Sequence, residues 1–135
     1  MREILFRGKR LDNGEWVYGA FVPDATERTH GDMVTWGFIR RHNIESGRME
    51  SIEVDRKTVG QYTGLKDKNG QEIFEGDIVR DIDTSKVFEI MYQGHMFLRY
   101  ERKPMYMFYT LDGDCLEVIG NIHDNPDLLE EECQC

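Results

Sequence analysis

The side chains able to do chemistry are numerous, so their spacing decides which could act together. The densest acidic group is Glu72, Glu75, Asp77, Asp81 and Asp83. Carboxylates this close can perform general acid–base work or hold Mg²⁺, which would make a metal-dependent hydrolase. A turn explains them more simply: in Glu75-Gly76-Asp77 the Asp77 carboxylate can accept backbone N–H bonds within the bend. Three cysteines, Cys115, Cys133 and Cys135, include no CxxC pair. With His123 they lack the regular spacing of a four-ligand zinc site. The expectation is reduced thiols, with Cys115 buried, and neither a metal nor a cofactor. His30, His42, His95 and His123 form no HxH, HxxxH or HExxH pair. His30 lies two residues from Asp32 in a polar stretch, a spacing that arises readily by chance. Gly60 and Gly64 lack the Lys-Ser/Thr that would complete a phosphate loop, and no GxSxG or GxGxxG is present. No catalytic constellation emerges, and the expectation is a protein that is not an enzyme.

Aromatic residues offer a second possibility. Trp16 and Tyr18, and likewise Trp36 and Phe38, are two residues apart, so each pair shares one face of a strand. Beside the cations Arg7, Lys9, Arg10, Arg40 and Arg41, they could form a stacking platform for bases. More often such pairs are simply the core of a small β domain. Trp16, Tyr18, Trp36, Arg40 and Arg41 are the candidate binding residues.

The elements that must position these residues read as strands. Alanine, the best helix former, occurs only at Ala20 and Ala25. Short strands are expected at 3–7, 16–22, 33–41, 49–55, 58–63, 73–74, 78–80, 86–92, 96–100, 105–111 and 116–119, the last four completing a meander. Asn13-Gly14 and Asn69-Gly70 carry hairpin chemistry, and 23–32 reads as a polar loop. Asp67, Asn69, Gly70, Gly76 and Asp77 are expected to be structural turn residues, with Gly70 and Gly76 at positive φ. Asn125, Pro126 and Asp127 announce one short C-terminal helix. The fold expected is mainly β: a small antiparallel, barrel-like domain over residues 1–135.

The 135-residue chain carries a net charge of −9, unevenly placed. From Pro104 to Cys135 there are eight acids and no Lys or Arg. That segment would repel phosphate backbones, so nucleic acid is not the default partner. It could instead dock a basic protein or act as an acidic decoy. The longest apolar run, Met105 to Tyr109, is far short of the ~20 residues that span a bilayer. Charges replace the apolar core of a secretory signal in Met1 to Arg7. The expectation is a soluble cytoplasmic protein with no membrane contact.

Three stretches in order resemble the YopX family of bacteriophage and prophage proteins. They are Phe6-Arg7-Gly8 with Trp16-Val17-Tyr18-Gly19, then Thr58 to Val79 (TVGQYTGLKDKNGQEIFEGDIV), then Glu117 to Pro126 (EVIGNIHDNP). The variable parts fall at 23–48 and 86–104. The resemblance implies a mainly β fold encoded by a phage or prophage and present in the bacterial host cytoplasm. It carries over no catalytic residue, cofactor or ligand. The expectation is an accessory protein that binds a host or phage protein, with a nucleic-acid-associated barrel as the alternative and a hydrolase behind both.

Overall fold

The computed structural model describes residues 4–23, 36–93, 96–101, 107–111 and 115–131, with backbone alone at 36, 107, 108, 110, 130 and 131. The expected 23–32 loop falls almost wholly outside them. So do His30, Asp32, His95, Cys133, Cys135 and the Trp36 side chain. The fold is mainly β and antiparallel, ending in a short helix, as its turns and β-rich composition foretell. Two compact units divide the chain at 61/62.

The first unit is a closed ring of four strands: β1 (Phe6–Arg10), β2 (Trp16–Pro23), β3 (Trp36–His42) and the first part of β4 (Met49–Lys66). Each pairs with the next, and β4 returns to β1. Closure leaves little free strand edge. Inside lie Val17, Ile39, Ile52 and Val54, with Phe6, Phe21 and Val59 packed against them. Gly19 is obligatory at one crowded point, because a Cβ there would lie 2.2 Å from the Arg40 carbonyl oxygen.

The sequence suggests two strands, 49–55 and 58–63, where the structure has one, β4. The expected break is a bulge. Between Arg7↔Gly60 and Lys9↔Asp55, β4 spends more residues than β1. The Thr58 hydroxyl fills the gap, accepting from the Lys9 amide at 2.9 Å and donating to the Asp55 carbonyl at 2.6 Å. Polar Arg56-Lys57 thus marks an irregularity within a strand.

In the second unit, the end of β4 pairs with β5 (Glu72–Phe74). A five-stranded sheet follows, built from β6 (Asp77–Asp81), β7 (Val87–Gln93), β8 (Met96–Glu101), β9 (Met107–Thr110) and β10 (Leu116–Asn121). Its order is β10-β6-β7-β8-β9. The expected meander therefore holds from β6 to β9, but β10 returns to lie against β6. Ile73, Val79, Phe88, Ile90 and Leu116 form the core, with Tyr109, Leu111 and Val118 against it.

The helix α1 (Asp127–Glu131) tucks in Leu129. Asn125 does not cap it by its side chain. Its Oδ1 accepts from the Asn121 amide at 3.3 Å, and its carbonyl accepts from Leu128. Cys115 is exposed, not buried, because it falls in the turn just before β10 rather than on the core face.

Candidate functional site

Register decides which of the candidate residues meet. Directly opposed residues of an antiparallel pair share a face. Phe6, Gly8, Val17, Gly19 and Phe21 turn inward, which sends Lys9, Trp16, Tyr18, Ala20 and Val22 to the outer side, with Arg7 on that side but buried. Ala20↔Arg40 and Val22↔Phe38 extend that outer face onto β3. Tyr18 and Val22 are 45% and 41% exposed. The Arg7 guanidinium lies 4.6 Å from the Trp16 ring centroid and the Lys9 ammonium 5.7 Å from it. Such cation–π contacts hold a flat aromatic surface in place. Two carboxylates enter the same face from β4, Glu53 opposite Phe38 and Asp55 opposite Lys9. The Trp36 backbone also pairs with Asp55.

Arg41 stands apart from Arg40, since neighbours on a strand point to opposite faces. Its Nε donates to Glu50 at 2.7 Å, and Asn43 adds a bond at 3.3 Å. The Arg41 and Asn43 donors hold the Glu50 carboxyl below the ordinary glutamate range.

The turn residues are built into the second unit. Asp67 is buried, and its Oδ1 accepts from the Asn69 and Gln71 amides, each at 2.9 Å. Its Oδ2 accepts from the Val118 amide at 2.9 Å, while the Lys68 amide reaches the Leu116 carbonyl. One carboxylate thus closes the Asn-Gly turn and fastens it along β10. Gly70 and Gly76 have φ of 83° and 91°. Asp77, also buried, accepts from the Phe74 amide at 2.7 Å.

The other acids are separated. The Asp81 Oδ1 accepts from the amides of Asp83 and Thr84. Its Oδ2 pairs with Arg99 at 3.1 Å. Burial by itself would raise the Asp81 pKa, but these donors outweigh it and hold the carboxyl below its ordinary value. Among the described residues, no three His, Cys, Asp or Glu side chains gather where one metal ion could be held.

One polar cluster in the second unit is not among the residues singled out from sequence. Glu101 is fully buried; it accepts from the Tyr109 hydroxyl at 3.2 Å and lies 3.3 Å from the Lys86 ammonium. The Lys86 contact is an ion pair without hydrogen-bond geometry. Nearby on the same face, Arg99 lies 4.8 Å from the Phe88 centroid and 5.4 Å from that of Tyr109. The available signal was Arg99-Tyr100-Glu101, two opposite charges two residues apart on a strand, which must share a face.

These features define a mainly β protein of two antiparallel units, with turn-locked strands and an aromatic outer face. The family model described as YopX protein matches residues 5–130, and the chain belongs to that family. It is similar to protein EF1440 from Enterococcus faecalis, whose crystal structure superposes with a TM-score of 0.54 at 26% identity. The match covers 96% of this chain and 99% of that one. No curated protein matches. Among the described residues, no helix is long and apolar enough to cross a membrane.

Proposed function

We propose that this YopX-family protein is a phage- or prophage-encoded accessory protein that works in the host cytoplasm by binding another protein. It performs no chemistry of its own. The observation that carries this reading is the outer face of the first unit, where Trp16, Tyr18, Val22, Phe38 and Arg40 stand together. Tyr18 is exposed and Trp16 and Phe38 are half-buried, and aromatics so placed among apolar neighbours are characteristic of protein contact surfaces. Lys9 beside Trp16 and the exposed Arg40 support a second reading, a stacking surface for nucleic acid; Arg7 is buried and takes no part in it. Glu53 and Asp55 on that face count against a polyanion.

Photo-crosslinking separates the two. A benzophenone amino acid replaces Tyr18 or, as a control in the second unit, Ile82. In host cells the Tyr18 probe should yield one defined protein adduct that the Ile82 probe does not. A nuclease-sensitive adduct at Tyr18 would favour nucleic acid, and equal adducts from both positions would remove the case for this face.

A further inference from the structure

Where β1 ends, β4 continues. The β1–β4 register stops at Arg10↔Val54, and the Leu11 amide adds one bond to the Glu53 carbonyl at 3.1 Å. The chain then leaves β4 to form the 11–14 turn, in which the Gly14 amide returns to the Arg10 carbonyl. Met49 to Ile52 remain paired with β3 on their other side. Amide and carbonyl of one residue point to the same side of a strand, and the sides alternate. Since Glu53 faces β1, Ser51 and Met49 face the space β1 has vacated. That space is a groove of about 480 Å³ lined by Arg10, Leu11, Asp12, Glu50, Ser51, Ile52 and Glu53.

The groove has a recognisable chemistry. Arg10, the one cation among the described residues that line it, is held by both carboxylate oxygens of Asp12, at 2.9 and 2.8 Å. Glu50 is taken by Arg41. Glu53 is exposed, and among the described residues no cation pairs with it. Apolar side chains stand exposed at the same end of the ring: Leu11 at 51% and Met49 at 53%. Unpaired strand backbone, an acidic lining and exposed apolar groups are what an extended basic peptide would use.

We propose that this groove is a β-augmentation site, at which an extended segment of a partner protein, carrying a cation and apolar residues at alternate positions along one face, adds a strand beside Met49–Glu53. Backbone bonds would go to Ser51 and Met49, a cation to Glu53, and apolar side chains to Leu11 and Met49. The backbone pairing belongs to the strand edge, whereas the Glu53 side chain is shared with the aromatic face, so the N-methylation and amide-shift results, and not the Glu53 variant alone, tell the two sites apart.

The test is a titration of the full-length protein with a fluorescent heptapeptide, Thr-Lys-Thr-Val-Thr-Val-Thr, whose Lys and Val side chains share one face of a strand, followed by anisotropy and by ¹H–¹⁵N amide shifts. The expected result is saturable binding with shifts centred on Leu11 and Met49–Glu53. Affinity should fall between about 50 and 200 mM salt, as the Debye length shortens. Glu53→Lys, an exposed change compatible with folding, should weaken binding about five-fold or more. Methylating alternate peptide nitrogens should abolish binding if the peptide pairs as a strand. Equal binding of the same peptide with Glu in place of Lys, indifference to N-methylation, or shifts centred elsewhere would each overturn the proposal.

Discussion

Asp67 shows how much a single carboxylate can hold. Three backbone amides, from Asn69, Gln71 and Val118, depend on it. Asp67→Ala would leave these donors without their acceptor in a largely buried place, at about 1–3 kcal/mol for a single unsatisfied group. The expected loss is about 3 kcal/mol or more in urea unfolding, with slower β10 exchange protection lost first. An unchanged midpoint would show that water replaces the carboxylate. Gly70 tests the same turn by another route. A Cβ there meets nothing within 4 Å, so only its φ of 83° opposes substitution. Gly70→Val should cost more than about 1 kcal/mol through backbone strain, and Gly70→Asn markedly less, because Asn tolerates this region. Equal melting temperatures for the two variants would refute the strain argument.

Among the elements, the β6–β7 connection carries the sharpest electrostatic expectation. Asp81 anchors it by accepting from Asp83 and Thr84, pairs with Arg99 on β8, and precedes Ser85, a non-glycine residue at φ 63°. Its folded pKa is depressed, so its stabilising effect is complete above the ordinary aspartate value near 4. As pH falls through that value towards the lower folded pKa, the native state resists protonation more than the unfolded state, and stability declines. Unfolding midpoints measured from about pH 5 down to pH 2 should therefore fall more steeply in the parent than in Asp81→Asn. Parallel profiles would remove Asp81 from the account. Glu117, drawn down chiefly by Arg80 and also by Lys68, acts in the same direction but at a more exposed position. Its share should shrink in salt.

For the whole molecule, the net charge of −9 sets the balance between possible partners. Duplex DNA carries one charge per ~1.7 Å, and the acidic run from Pro104 onward opposes its approach. Anisotropy titrations at about 50 and 200 mM salt should show no duplex binding tighter than the ~10⁻⁴–10⁻⁶ M of non-specific contacts. Sub-micromolar affinity with a steep salt dependence would instead favour the nucleic-acid reading.

Local chemistry was legible without the fold. Scarce alanine, Asn-Gly steps and β-branched runs determined a mainly antiparallel protein, because turn geometry and strand preference act within a few residues. The same range covers the positive φ of Gly70 and Gly76 and the Asp77 bond to its own bend. Three features depended on contacts between distant segments. The ring closes only because β4 meets β1 some fifty residues apart. Arg40 and Arg41 read alike as cations, yet the strand register sends one to the outer face and the other to Glu50. Glu101 looks like any charged strand residue until β9 brings Tyr109 beside it and the β6–β7 connection brings Lys86. Alternation along a strand tells which residues share a face, but which face is buried is set by the packing of strands remote in sequence.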